Sequence, residues 1–312
     1  MLRDHEIFHT PQSIDPARAT RIETPAAWND DTDAETVEVL PLVAEIGKSY
    51  DSGWCTYVFE HAQAPELEVL CGGVNSKTPR AGAIWRQGNL LHFGFEQTPR
   101  QMNETGRNLL VNSIAYIARF TDDRPIVRTP SVFFAGGKRI WDRGAIARLV
   151  NSPGRDLSLL KYYTSPALYE ESQDRSREEL GAWFRENEPW IHADESGKLA
   201  LDEEARSFET GPATVEFLRR AVEALRDEGE RAALARRLLD RYVPEGPADR
   251  DRAEDWAAWY AENRPYLFFS DTGGYRWYVD PLARARSVPT DELRGAARAT
   301  REPLVPRSAA KR

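Results

Sequence analysis

Two segments of this chain repeat one another at a constant offset of 76 residues, and a duplication constrains the fold more tightly than composition can. The stretch from Glu178 to Ile191 aligns with the stretch from Glu254 to Leu267. Glu178/Glu254, Ala182/Ala258, Trp183/Trp259, Glu186/Glu262, Asn187/Asn263 and Pro189/Pro265 are identical pairs, and Phe184/Tyr260, Trp190/Tyr266 and Ile191/Leu267 are conservative ones. The same offset joins Gly197 to Gly273, Leu149 to Leu225 and Arg155 to Arg231. In each copy the Trp falls on the apolar face of a helix. The Asn four residues on suits a helix C-terminus, and the Pro two further on stops it. Short amphipathic helices are stable only when their stripe is buried against something. The expectation is therefore two similar helical units, 145–212 and 216–290, packed on each other, with Trp183 and Trp259 at equivalent buried positions. Phe268, Phe269, Tyr275, Trp277 and Tyr278 read as core of the second copy, with an aromatic ligand groove as the alternative.

The first half has a different rhythm. Residues 1–34 are irregular and rich in Pro, Asp and Thr, including the run Asp30-Asp31-Thr32-Asp33. Thr36–Ile46, Trp54–Glu60 and Leu67–Leu70 read as strands. Ala81–Arg86 and Leu90–Phe95 flank the turn Gln87-Gly88-Asn89 and predict a hairpin. A helix follows, with Thr98 as N-cap, Pro99 at its first position, Gln101 completing a capping box, and a buried stripe of Leu110, Ile114 and Ile117. Residues 121–144 form a connector and 291–312 a basic disordered tail, which from Arg294 onward sets Arg294, Arg298, Arg301, Arg307, Lys311 and Arg312 against Glu302 alone. The expected class is α+β or α/β: a small mixed β-sheet unit with a long helix over 1–120, then an all-α half built from the tandem duplication.

Composition enters mainly by exclusion. The 312 residues are 41% hydrophobic and 29% charged, with a net charge of -8. The mean hydropathy of -0.61 indicates much exposed helix surface. A pI near 5.4 repels phosphate backbones, so no nucleic-acid partner is expected. No stretch reaches the roughly 18 apolar residues of a membrane span. The start Met1-Leu2-Arg3-Asp4-His5-Glu6 has no apolar core of a secretory signal, so a cytoplasmic protein is expected. Cys55 and Cys71 make neither a disulfide framework nor a zinc site. His5 and His9 have ligand spacing only in a helix, and Thr10-Pro11 argues for a loop. Gly136-Gly137-Lys138 is followed by Arg139 where a phosphate loop needs Ser or Thr, and Val132 stands where it needs Gly. No metal or cofactor is expected.

Gly72-Gly73-Val74-Asn75-Ser76-Lys77, the hairpin Ala83–Phe95 and the helix Gly106–Ile117 with its Asn112-Ser113-Ile114 core together resemble a known pattern. It is similar to the C-terminal portion of class I glutamine-amidotransferase-like domains of the trehalose-utilisation (ThuA-like) type, over residues 36–120. The resemblance implies a sheet-and-helix unit, with carbohydrate or related small polar compounds as the substrate class. Those domains open with a parallel half-sheet, which in true amidotransferases bears a G-x-C-x-G nucleophile elbow, and that motif does not occur here. The expectation is a trimmed, non-catalytic derivative, or a chain whose start omits the N-terminal part.

Cys71, His92 and Glu96 stand in the Cys-His-Glu order that the family uses. Cys71 lacks the preceding Gly of an elbow, and His92 and Glu96 are four apart where the family has two. A buried structural Cys is expected, and no catalytic residue is assigned. Glu96 lies where a strand ends before a helix, a common ligand position in α/β folds. Asn75, Lys77, Arg86, His92 and Glu96 are therefore the candidate ligand site, with an Arg86–Glu96 ion pair as the plain structural alternative. The expected function is a non-enzymatic binding or scaffold protein for an unknown protein or small polar ligand. The alternative is an enzyme acting on a carbohydrate or small polar substrate.

Overall fold

Segments that alternate apolar and polar residues become antiparallel strands here, and segments with helical periodicity become short, well-capped helices. The computed structural model describes residues 4–28, 32–43, 54–56, 65–79, 81–126, 143–150, 154–271 and 273–294. Gly136-Gly137-Lys138, the later part of the strand expected over Trp54–Glu60, and the tail from residue 295 lie outside them. The class is α+β. The chain divides into two compact units, one formed by Met1–Ile126 with Arg294–Arg312 and the other by Val127–Leu293.

In the first unit β1 (Thr20–Glu23) pairs antiparallel with β2 (Thr36–Val39). A separate three-stranded sheet has the order β3 (Leu67–Gly72), β4 (Gly82–Gln87), β5 (Leu90–Phe93), all antiparallel. The β4–β5 turn uses Gly88 at φ 57, where a Cβ would come within 2.5 Å of the Asp123 carbonyl oxygen. Helix α1 (Glu104–Ile117) lies over one sheet face, and Leu109 and Tyr116 join Leu70, Cys71 and Ile84 in the core. Its cap is Asn103, whose side chain accepts from the Gly106 amide. The Thr98–Gln101 contacts form, but in the turn before the helix.

The stripe expected on α1 is out of phase. Ile114 is 60% exposed, whereas Thr105, Gly106, Leu109, Asn112, Ser113 and Tyr116 face inward. The reason is that this helix packs against backbone as well as side chains. A Cβ on Gly106 would sit 2.3 Å from the Leu42 carbonyl oxygen. Buried Asn112 donates to the Ile7 and Gln12 carbonyls and accepts from the Gln12 amide, tying the N-terminal segment to the helix.

The second unit shows the duplication as repeated structure. Helix α2 (Arg143–Val150) packs on α5 (Arg177–Asn187), and α7 (Val215–Ala224) packs on α9 (Ala253–Asn263). Between the partners lie α3 (Leu160–Tyr163) and α4 (Pro166–Gln173) in the first copy, and the single α8 (Glu230–Tyr242) in the second. Helices α5 and α9 end at the paired Asn187 and Asn263, each donating to the carbonyl of the Trp four residues earlier. Pro189 and Pro265 then sit inside matching 3-10 turns.

Each 3-10 turn leads into a β-hairpin, a feature beyond the all-α half expected from the sequence. The pairs are β6 (Ile191–Ala193) with β7 (Leu199–Leu201), and β8 (Leu267–Ser270) with β9 (Arg276–Val279). With only three or four residues per strand, their alternation is too short to stand out against helical neighbours. The hairpins end on Asp202 and Asp280, buried N-caps of α6 (Glu203–Arg206) and α10 (Pro281–Arg286). A last helix, α11 (Thr290–Leu293), follows, so the expected tail begins with ordered residues, and Arg294 is buried.

One apolar core runs through both copies and includes Leu180, Phe184, Leu199, Phe217, Leu238, Trp256 and Trp277. Trp183 and Trp259 occupy equivalent places, but only partly buried at its edge. The fully enclosed position is one turn earlier, Leu180 in one copy and Trp256 in the other. Positions 180, 184 and 187 form the inward stripe, which leaves 183 on its flank. Phe268, Phe269, Tyr275 and Trp277 are buried, and the Trp277 indole donates to the Pro212 carbonyl, so they are core.

Candidate functional site

Strand alternation sorts the candidate residues onto two faces. In β4, Ile84 and Arg86 point toward α1, while Trp85 and Gln87 point away. Trp85 is the cross-strand partner of His92 on the outer face, and their rings stack at 5.2 Å. Trp54 is brought beside them by its own backbone. Its amide donates to the Gly94 carbonyl at 2.8 Å, and the Gly94 amide donates to Ala83 at 2.8 Å. A Cβ on Gly94 would stand 2.3 Å from the Trp54 carbonyl oxygen, so only glycine permits this approach.

His92 and Glu96 meet through that tryptophan. The Trp54 carbonyl can only accept, so His92 Nε2 carries the proton and donates to it at 2.7 Å. The Trp54 indole N–H donates to Glu96 Oε1 at 2.8 Å. The ring is fixed at its polar edge and remains 66% exposed. Leu90, 59% exposed, continues the outer face beyond Gln87. The result is an oriented aromatic surface rimmed by a carboxylate and an imidazole.

The other candidates are placed differently. Asn75 Oδ1 accepts from the Lys77 and Thr78 amides and its Nδ2 donates to the Gly73 carbonyl, so it shapes the loop. Lys77 Nζ reaches the Cys55 carbonyl at 2.6 Å. Arg86 lies on the opposite sheet face from His92 and forms no pair with Glu96. The five residues do not line one concavity. Cys71 sits in the core with Ile84 and Leu109, and burial pushes its thiol up to about 12. Cys71 and His92 are thus on different sides of the sheet, and the Cys-His-Glu set does not assemble.

Arg86 instead centres a buried charge network. Its Nε donates to Glu68 Oε2 and its Nη1 to Asp123 Oδ2, both at 3.1 Å, and the guanidinium lies 3.9 Å over the Phe120 ring. Glu68 also accepts from the Tyr116 hydroxyl at 2.5 Å and from His5 Nε2 at 3.2 Å. His5 Nδ1 accepts from the Ile7 amide, so a neutral His5 carries its proton on Nε2. Burial pushes the Glu68 carboxyl up, but the His5 and Tyr116 hydrogen bonds and the Arg86 charge outweigh it and hold it at about 2. Burial, with the Glu68 charge beside it, pushes the Tyr116 hydroxyl well above its ordinary value. Sequence reading missed this set because Glu68, Arg86 and Asp123 look like surface residues. The cue available was a Glu and an Arg inside apolar strand patterns.

The second unit contains an open cavity of about 500 Å³ lined by residues that include Ser207, Phe208, Glu209, Arg220, Arg231 and Leu234. Arg220 is paired with Glu216 at 2.9 Å and Arg231 with Asp227 at 3.2 Å, so its cations are already engaged. Among the described residues no group of three or more His, Cys, Asp or Glu is arranged to hold a metal ion. None of the described helices is long and apolar enough to cross a membrane. Comparison with family models, with curated proteins and with solved structures finds no match.

Proposed function

We propose that the protein is a non-enzymatic binding or scaffold protein, in which an incomplete amidotransferase-like unit is joined to a paired repeat. Its ligand surface is the outer face of β3–β5 around Trp54, Trp85, His92 and Glu96. The observation that carries the reading is Trp54, an exposed indole held by Glu96 and by the backbone of Gly94. A pre-oriented aromatic ring loses little entropy when a flat or ring-shaped ligand stacks on it. Glu96 and His92 supply polar groups at the rim, which suits a small hydroxylated ligand. The amidotransferase-like part of the proposal is supported by a hairpin leading into a helix whose inner face carries Asn112.

Calorimetric titration with a panel of mono- and oligosaccharides tests this. Binding is expected in the unaltered protein, weakened about tenfold or more in Trp54→Ala, the scale of one lost aromatic stacking contact. Binding unchanged in Trp54→Ala, or none to any sugar, refutes this assignment of the face. The enzymatic alternative is favoured by one feature, a carboxylate at the edge of a stacking ring. Hydrolytic turnover that disappears in Glu96→Gln would establish it in place of the binding reading.

A further inference from the structure

The first unit is discontinuous. Its second piece begins at Arg294, after the whole of the second unit. Arg294 is 4% exposed and its Nη1 donates to Asp123 Oδ2 at 2.5 Å, the oxygen that Arg86 also reaches. Glu68, Arg86, Asp123 and Arg294 alternate along one chain of ion pairs, two carboxylates against two guanidinium groups. The neutral form of His5 adds a donor without adding charge, and the Tyr116 hydroxyl does the same. Among the described residues, charged groups near the network include Glu6 and Arg119, which pair with each other at the surface, and buried Glu66, which accepts from Gln87 and the Ile126 amide. Without Arg294, Glu68 and Asp123 would share Arg86 alone and leave a buried negative charge uncompensated.

We infer that Arg294 is a clasp that completes the first unit, so that this unit reaches full stability only in chains that continue past the second one. The second unit is thereby an insertion within the first, bracketed by Asp123 on one side and Arg294 on the other. A chain that stops before residue 294 lacks the compensating charge, which loosens the sheet that bears Trp85 and His92.

Hydrogen exchange on the full chain tests this, because peptides from 65–126 and from 215–270 report on the two units separately. Arg294→Leu should accelerate exchange over 65–126 by about tenfold or more, as expected when a buried charge-assisted hydrogen bond is lost, and leave 215–270 unchanged. Adding Asp123→Asn restores neutrality and should recover most of the protection. Arg294→Lys, which keeps the charge, should remain close to the unaltered protein. Unchanged exchange in Arg294→Leu overturns the clasp. A double variant looser than the single overturns the charge argument, as does equal loosening of both units.

Discussion

The two units bury different things. Both units have an apolar core, but the second shares one between its two copies and buries carboxylates such as Asp202 and Asp280 mainly as helix caps, whereas the first buries the linked charges Glu68, Arg86, Asp123 and Arg294. An apolar core is non-directional and tolerates variation as long as volume is kept. A buried charge network depends on each partner, and removing one strands the others. The second unit should therefore fail gradually and the first abruptly.

The sharpest way to break the contrast is Arg86→Met. It strands the Glu68 and Asp123 carboxylates and should cost about 3–5 kcal/mol, read as loss of protection over 65–126 with 215–270 intact. A cost below about 1 kcal/mol would mean that the network contributes nothing a methionine cannot replace. In the second unit Trp256→Ala should cost a comparable 3–5 kcal/mol in urea unfolding, because that ring is wholly enclosed. Trp183→Ala and Trp259→Ala should each cost less than half as much, about 1–2 kcal/mol. Equal costs at all three would mean that the inward stripe is wrongly phased.

Acid gives a subtler separation. Glu68 is held at about 2 in the fold, below the ordinary Glu value of about 4.3, so its contribution is fully present above that value. It is lost as pH falls from about 4.3 through about 2. Urea unfolding across that window should show the first unit weakening, and Glu68→Gln should flatten its pH dependence at the cost of lower stability near neutrality. An identical slope in Glu68→Gln would place the acid sensitivity elsewhere.

The same contrast explains what the sequence made legible. The Asn helix ends and the Gln87–Asn89 hairpin turn follow from local spacing, and the structure bears them out. The α1 stripe is not legible from hydrophobicity, because the buried face of this helix is largely polar or small. Thr105, Gly106, Asn112 and Ser113 face inward through backbone contact and hydrogen bonds, which periodicity does not register. In the candidate site, His92 and Glu96 were legible and are joined through Trp54. Arg86 lies on the other sheet face, where the two-residue period puts it opposite its neighbour Trp85. Trp54 was missed because its position depends on Gly94, forty residues away in the chain and settled only by folding.

The enclosed position shared by the copies has a consequence for their inheritance. The first copy fills it with Leu180 and the second with Trp256, whose ring lies where a Cβ on Gly246 would come within 2.6 Å. The large ring and the missing side chain have become a matched set. An unequal crossover joining the first helix to the second cradle would leave a hole where the indole sat. At this position the two copies are therefore not interchangeable.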